Sequence, residues 1–381
     1  MPSPRRQLGL DDACFLIGRR GFGPESPGLA GRSSHRTVGV ELESFAVPHL
    51  DPSQLPAPPL PAGSRLTFEP GGQVEVSSPP GRTVAEACAT LSTDLEALRE
   101  AFLPCGVRLV QEGLQPDPPQ RCVESPRYQA MEAYFDRRWP GPGRAMMCGT
   151  ASVQVNLGLG TAARGARRWR GANVLGPALA AAFSSSPDGQ GRGSRRLATW
   201  LALDPSRTAP VAWGGDPRRA WADYALAAEV MLIRTDSGVA GLTGEALTAR
   251  AWIEEGHDLG WPTADDLEYH LTTLFPPVRP RGWLELRMID ALPDPWWRVP
   301  VAVAAALVDD DTAVVACEDA ADRWWEAASD GLGDAAVAEA VTVCAERCGP
   351  RLARVGTDGA TTALVEQWAN TVRKGCEPPW L

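Results

Sequence analysis

The chain has 381 residues, of which 44% are hydrophobic and 22% charged, a composition typical of a globular protein with one large domain or two ordinary ones. A formal net charge of −10 gives no long-range attraction to phosphate backbones or anionic lipid, which argues against nucleic-acid and membrane-surface binding. The sequence has no apolar run of about 18 residues and no signal-peptide pattern, so we predict a cytoplasmic protein.

The first elements predicted along the chain are three short strands and two helices. The strands alternate between apolar and polar side chains, as expected when one face is buried, and cover residues 38–43, 65–69 and 73–77. Apolar residues at helical spacing predict an amphipathic helix over 84–102, with Thr83 near its start, that lies on the sheet. Residues 128–138 predict a second helix.

The rest of the chain adds two alternating segments and a helical tail. Residues 152–157 and 284–288 repeat the strand pattern. Residues 222–233 form a short apolar segment for which helix and strand both stay open. Alanine-rich stretches after Pro300 predict helices that pack together over residues 301–308, 312–328 and 334–347.

The polar faces of the five strands carry more acids than bases. They present Glu41, Glu43, Glu69, Glu75 and Glu285 against Arg65 and Arg287. A solvated sheet face is the usual origin of such alternation, but so many like charges on adjoining strands would repel each other. Carboxylates without a histidine or cysteine partner fit Mg²⁺, with Mn²⁺ as an alternative. We therefore predict a metal site that holds a nucleotide.

The scarcity of lysine restricts how this chain can handle a nucleotide. Lys374, in the C-terminal tail, is the only lysine. A Walker loop needs Gly-Lys-Ser/Thr and a Schiff-base enzyme needs a buried amine, and the tail supplies neither. Arginine and metal ions must therefore bind any phosphate.

Motifs in these segments resemble the glutamate-cysteine ligases of the plant and actinobacterial type. The G-V-E-L-E segment at 39–43 is similar to the first metal motif of that family, and E-P-G-G-Q-V-E-V-S at 69–77 resembles its E-P-G-G-Q-x-E-x-S segment. Further motifs follow in the same order at 127–134, 146–147, 153–156, 194–208, 223–226, 270–276 and 283–287. The resemblance covers residues 36–295.

The resemblance implies an α+β catalytic unit with the glutamine-synthetase-like fold. We expect an antiparallel sheet curved into an open half-barrel, with helices on its outer face and carboxylates on its inner face. Residues 1–35 are expected to form an N-terminal segment, 36–296 the catalytic ATP-dependent ligase core, and 297–381 a helical C-terminal layer of the same unit.

The family's reaction uses ATP to join the γ-carboxylate of L-glutamate to L-cysteine through a γ-glutamyl phosphate. For this chain the resemblance implies ATP, Mg²⁺ and the two amino acids as partners, and a monomer or weak dimer. We favour the ergothioneine-pathway subtype. Two alternatives stay open: a carboxylate-amine ligase that uses a different amine, and a non-catalytic nucleotide- or metal-binding relative.

The resemblance also gives each candidate residue a role. The expected metal ligands are Glu41, Glu43, Glu69, Glu75 and Glu285. Arg287 and Glu285 are the expected catalytic residues, and together with Gln154 they are expected to contact the nucleotide. Arg196, Arg207 and Gln154 are candidate substrate ligands, and Arg196 could bind a carboxylate in a bidentate manner.

Overall fold

The computed structural model of the chain describes residues 8–23, 37–115, 117–190, 193–235, 238–242 and 246–381. Of the predicted N-terminal segment 1–35, residues 1–7 and 24–35 lie outside this description. Within the described ranges, no helix has both the length and the apolar character needed to span a bilayer.

Seven strands in the described part of the chain form one open antiparallel sheet. The strands of the structure are β1 (Val38–Val47), β2 (Arg65–Phe68), β3 (Val74–Ser77), β4 (Arg108–Val110), β5 (Ser152–Gly158), β6 (Leu232–Thr235), β7 (Gly238–Gly241), β8 (Val278–Pro280) and β9 (Trp283–Asp290). The order across the sheet is β2, β3, β1, β5, β9 and β8, and β4 pairs with the end of β1. Strands β6 and β7 form a separate hairpin. All five predicted strands are confirmed, and all lie in the main sheet.

The helices confirm most of the predicted pattern. They are α1 (Leu10–Phe22), α2 (Val84–Phe102), α3 (Pro126–Arg138), α4 (Pro142–Gly149), α5 (Ala162–Ala182), α6 (Arg195–Leu201), α7 (Pro205–Thr208), α8 (Pro217–Ala227), α9 (Ala249–Glu255), α10 (Ala264–Leu271), α11 (Arg298–Leu307), α12 (Asp311–Ala316), α13 (Trp324–Ser329), α14 (Ala335–Cys348), α15 (Leu352–Val355) and α16 (Gly359–Arg373). Thr83 caps α2 by accepting a hydrogen bond from the backbone N–H of Glu86. The open segment 222–233 contains the end of α8 and the start of β6, so neither assignment alone describes it.

The prediction of one helix over residues 312–328 is wrong. This segment contains α12, a 3₁₀ turn at Glu318–Ala320 and most of α13. All three pieces pack against α5. Alanine-rich composition favours helix throughout the segment, and tertiary packing decides where the helix breaks.

One apolar core joins the sheet to the helices on one of its faces. The side chains that the strands turn toward this core are Val40, Leu42, Val74, Val76, Val153, Val155, Leu284 and Leu286, all of them fully buried. Helices α2, α5 and α11 contact these strands, and the same core continues to α14 and α16. Because successive side chains of a strand point to opposite faces, the other face of the sheet carries the polar residues.

Candidate active site

The register of the sheet gathers the predicted polar side chains on one face. Glu43 on β1 stands opposite Glu75 on β3, and Asn156 on β5 stands opposite Glu285 on β9. These carboxylates are withdrawn from water: the exposed fraction is 0% for Glu285, 7% for Glu75 and 9% for Glu43. The face therefore differs from a solvated sheet surface, as the excess of acids predicted.

A cavity of about 250 Å³ lies over this face. Its lining contains the five predicted metal ligands, together with Gln154 and Arg287. Four more of the described arginines border it, namely Arg65, Arg127, Arg279 and Arg281. A further part of the lining, which we call the apolar wall, consists of Tyr128, Met131, Met146, Met147, Trp200 and Phe275. Acidic, basic and apolar surfaces thus meet in one cavity.

Three of the glutamates converge closely enough to share a cation. One carboxylate oxygen from each of Glu43, Glu69 and Glu75 lies within 4.8 Å of the others. Burial and the charges of Glu75 and Glu43 raise the pKa of Glu69 to about 8. Burial and the charge of Glu75 likewise raise the pKa of Glu43. Carboxylates that resist ionising together fit a divalent cation, whose charge offsets their repulsion.

A tight turn between β2 and β3 presents Glu69 to this cluster. Gly72 adopts a φ of +84°, which favours glycine. A Cβ atom on Gly71 would lie 2.5 Å from the Cα atom of Cys148, so this position also excludes a side chain. Gln73 secures the turn because its Nε2 donates to two carbonyl oxygens at the C-terminal end of α4, at 3.2 and 3.0 Å. The glycines and the glutamine of the motif therefore fix the geometry of the turn.

Polar side chains of β5 orient the two carboxylates of β1. Ser152 donates to Glu43 Oε2 from its backbone N–H at 2.7 Å and from its hydroxyl at 2.9 Å. Gln154 Nε2 donates to Glu43 Oε1 at 3.0 Å, and Asn156 Nδ2 donates to Glu41 Oε1 at 2.9 Å. Burial and neighbouring carboxylates raise the pKa of Glu41 to about 7. Each carboxylate is thus held in one orientation beside the cavity.

Glu285 differs from the other four glutamates because arginines surround it. Arg279 donates to Glu285 Oε1 from Nη2 at 3.0 Å and to Oε2 from Nε. Arg281 Nη1 donates to Oε1 at 3.2 Å, and Arg287 Nη1 lies 3.4 Å from Oε2. Burial opposes ionisation, but the charges of Arg279 and Arg287 hold the pKa of Glu285 well below its usual range. Glu285 is therefore placed to organise arginines, and its role as a metal ligand stays a prediction.

Arg287 combines a cavity position with an unused donor. Its Nη1 donates to Gln154 Oε1 at 2.6 Å, and its guanidinium lies over the rings of Trp200 and Phe275, 5.6 and 5.9 Å from their centroids. Its buried Nε has no hydrogen-bond partner among the described residues. Because a guanidinium binds carboxylate and phosphate through paired donors, this group is suited to an anion in the cavity.

Arg196 lies behind Arg287 and is not among the described residues that line the cavity. It is 2% exposed, and its Nη2 donates to the backbone carbonyl of Arg287 at 3.0 Å. Its Nη1 lies 3.9 Å from the carboxylate of Asp290, which accepts a hydrogen bond from the Ser194 hydroxyl at 2.7 Å. Arg196 thus supports the strand that carries Arg287, and direct contact with a substrate stays a prediction.

Arg207 also lies away from the cavity lining, with an exposed fraction of 0%. Its guanidinium donates to Asp204 at 2.7 Å, to the backbone carbonyl of Thr273 at 2.9 Å and to the hydroxyl of Tyr134 at 3.2 Å. These contacts join α3, α7 and the segment before Phe275. Since protein acceptors use these donors, the geometry favours a positioning role for Arg207 over the substrate contact that we expected.

Two of the charged residues were missed by the sequence analysis. Arg279 stands directly opposite Glu285 in the pairing of β8 and β9, and Arg281 lies in the turn between them. The P-R-G sequence at 280–282 is a turn signal that could have predicted this hairpin and hence the pairing. The residues of the apolar wall lie within the family motifs, but they come from separate helices and a loop, so no periodic pattern indicated that they meet.

A solved structure has a similar fold. The bifunctional glutathione synthetase from Pasteurella multocida matches with a TM-score of 0.51 and 14% sequence identity, over 91% of this chain and 49% of that chain. At this level of identity the likeness concerns the fold alone. Together with the open antiparallel sheet and its helices, it confirms the predicted α+β, glutamine-synthetase-like fold class.

Curated proteins show closer likeness. Over 332 residues the chain is 40% identical to glutamate–cysteine ligase EgtA of Mycolicibacterium smegmatis, which covers 81% of this chain and 78% of that protein. It is 30% identical over 248 residues to the chloroplastic glutamate–cysteine ligase of Medicago truncatula, over 61% of this chain and 48% of that protein. The model of glutamate-cysteine ligase family 2 matches residues 34–376, so the likeness extends beyond residue 295 into the C-terminal helices. The chain therefore belongs to glutamate-cysteine ligase family 2.

Proposed function

We propose that this chain is an ATP-dependent ligase that joins the γ-carboxylate of L-glutamate to the amine of L-cysteine. The observation that carries the proposal is one cavity lined both by three converging carboxylates and by Arg287, a largely buried arginine that already contacts Gln154 and Glu285. Family membership supports it, since a ligase of this family implies ATP and a divalent metal.

Glu43, Glu69 and Glu75 are the residues that would hold the metal. Their donor set consists of carboxylate oxygens, which fits Mg²⁺ and, as an alternative, Mn²⁺. When bound, such an ion neutralises phosphate charge and orients the terminal phosphate for displacement. Glu41 and Glu285 line the same cavity and are retained as candidate ligands of a further ion.

The proposed reaction has two steps. An oxygen of the glutamate γ-carboxylate attacks the terminal phosphorus of ATP, and the bond from that phosphorus to ADP breaks. The neutral amine of cysteine then attacks the acyl carbon of the γ-glutamyl phosphate, the bond from that carbon to the phosphate oxygen breaks, and the proton lost by the nitrogen leaves with the phosphate. Arg287 is the residue that we assign to the transferred phosphoryl group, because its side chain lines the cavity that the glutamate cluster also lines, and a guanidinium binds phosphate through paired donors.

Gln154 connects the two halves of this machinery. Its Oε1 accepts from Arg287 and its Nε2 donates to Glu43, so one amide orients both the phosphate-binding and the metal-binding group. Glu285 keeps Arg279, Arg281 and Arg287 together beside the same cavity. We therefore assign Glu285 to holding the arginine group in addition to its candidate role toward metal and nucleotide.

We place the product in ergothioneine biosynthesis. The mycobacterial relatives named EgtA share 39–40% identity with this chain, whereas the chloroplastic enzymes share 29–30%. This difference supports the actinobacterial subtype over the plant one. Cytoplasmic location and a monomeric or weakly dimeric state are part of the same proposal.

Measuring ADP release with ATP, Mg²⁺ and L-glutamate, with and without a panel of amines, tests the proposed function. Release that depends on L-cysteine supports the glutamate-cysteine ligase. Release that depends on another amine instead supports a carboxylate-amine ligase of different specificity. Absence of turnover with every amine supports a non-catalytic relative.

A further inference from the structure

We propose that the apolar wall of the cavity binds the side chain of the second amino-acid substrate and selects a small, thiol-bearing amine. This inference rests on the proposed function and extends it by naming the residues that distinguish cysteine from related amines.

The composition of the apolar wall fits a thiol. The wall contains three of the 6 methionines of the chain, Met131, Met146 and Met147, beside aromatic rings. Thioether and aromatic surfaces are polarisable and adapt to a sulfur atom better than aliphatic groups do. These methionines belong to a core cluster separate from the main core beneath the sheet, and they are the members of that cluster's buried set that line the cavity.

The position of the apolar wall indicates that an amino-acid side chain, and not the adenine base of ATP, binds against it. The guanidinium of Arg287 lies over the rings of Trp200 and Phe275. Tyr128 lines the same cavity as Glu69. The wall therefore adjoins both groups assigned to phosphoryl transfer. The base is separated from the terminal phosphorus by the ribose and the triphosphate, whereas the attacking amine must reach the acyl carbon one oxygen away from that phosphorus.

Hydrogen bonds also hold parts of the apolar wall in place. Trp200 Nε1 donates to the Thr150 hydroxyl at 3.4 Å. The guanidinium of Arg207 ties Tyr134 of α3 to the carbonyl of Thr273, and the backbone N–H of Phe275 donates to the carbonyl of Arg207 at 2.7 Å. These contacts fix the aromatic part of the wall, and aromatic rings held in place limit the size of the side chain that fits beside them.

The test compares acceptor selectivity in variants of two methionines. Met147→Ala enlarges the cavity, and Met231→Ala is the matched control, because Met231 belongs to the same buried cluster but is not among the described lining residues. In Met147→Ala we expect the ratio of kcat/KM for L-cysteine to that for L-homocysteine to fall about tenfold, the worth of one methylene in an apolar pocket. The KM values for ATP and L-glutamate, and the ratio in Met231→Ala, are expected to stay within about twofold of the unaltered protein.

A second variant covers the case in which Met147→Ala does not fold. Met147→Leu keeps the volume and removes the sulfur, so it should lower the preference for L-cysteine over L-2-aminobutyrate by about threefold, relative to Met231→Leu. The inference would be overturned if both variants were folded and active and neither selectivity ratio, cysteine over homocysteine or cysteine over 2-aminobutyrate, changed. It would also be overturned if only the KM for ATP rose, because the wall would then bind the adenine base. If the unaltered protein releases no ADP in response to cysteine, the proposed function itself fails, an outcome separate from a selectivity that does not move.

Discussion

The glutamates on the polar face of the sheet occupy two opposite environments. Glu43, Glu69 and Glu75 have one another as neighbours, and burial with this repulsion raises the pKa of Glu69 to about 8. Glu285 is more deeply buried, yet the surrounding arginines hold its pKa well below the usual range. Burial opposes ionisation in both environments, so the charged partners decide the difference between them. We call the side of the cavity with Glu43, Glu69 and Glu75 the cation side, because among the described residues it lacks a paired counter-charge for its carboxylates. We call the side with Glu285 the arginine side, because arginines already neutralise its carboxylate.

The largest expected effect comes from removing a carboxylate on the cation side. Glu69→Gln should lower kcat/KM on the order of 1,000-fold, since it removes a charged group that acts where charge develops in the reaction. Steady-state ADP release with a Mg²⁺ titration measures this loss. Glu96→Gln, on the exposed face of α2, is the matched control. Full activity of Glu69→Gln at saturating Mg²⁺ would contradict the metal assignment.

On the arginine side, the corresponding change should act on stability. Glu285→Gln leaves the buried Arg279 without its counter-charge, and breaking a buried pair in this way costs about 3 kcal/mol of the free energy of unfolding. Denaturant unfolding of metal-free protein measures this loss of stability.

In the same assay at pH 8, Glu69→Gln should be more stable than the unaltered protein, because it removes a repelling charge. If Glu285→Gln and Glu69→Gln changed the free energy of unfolding by the same amount and in the same direction, the two groups of glutamates would not differ as we describe.

An intermediate effect is expected at the residue between the two sides. Gln154→Ala removes one hydrogen bond to Arg287 and one to Glu43, so kcat/KM should fall about 100-fold, the worth of two hydrogen bonds to charged groups. The Mg²⁺ dependence should weaken at the same time, because the Glu43 carboxylate loses a fixed orientation. If activity falls with an unchanged Mg²⁺ titration, Gln154 acts on the arginine side only.

The smallest expected effect is a pH dependence of metal stabilisation. The pKa is raised to about 7 for Glu41 and to about 8 for Glu69, so the metal-free protein should lose stability as pH rises from 5 through these values. Protons compete with Mg²⁺ at pH 6 and not at pH 8.5. The increase in Tm caused by Mg²⁺ should therefore be about 2 °C larger at pH 8.5 than at pH 6. Differential scanning fluorimetry measures both values, and an equal increase at both pH values would contradict the assignment.

Strand alternation was sufficient to predict which side chains share the polar face. Glu41, Glu43 and Glu75 lie on it because the period of two fixes their direction once the apolar partners are buried. The partners of each glutamate were not predictable in the same way. Arg279 meets Glu285 through the register of a hairpin, and register follows from turn geometry and packing rather than from either strand alone.

The residues away from the sheet show the same limit. Arg207 belongs to a motif of the family, and the motif gives its place in the chain without telling whether its guanidinium faces the cavity or the protein interior. In the structure the guanidinium faces the protein interior, where Asp204 and the hydroxyl of Tyr134 accept hydrogen bonds from it. Contacts between segments that are distant in sequence, here α3, α7 and residue 273, leave no periodic pattern from which to infer them.

The amide at position 154 imposes a narrow chemical requirement. Arg287 presents N–H groups and Glu43 presents oxygens, so the side chain between them must offer an acceptor and a donor at once. A glutamate there would repel Glu43, a lysine would repel Arg287, and an asparagine would be one methylene shorter. A directed library at this position should accordingly return glutamine among its active members far more often than any acid or base.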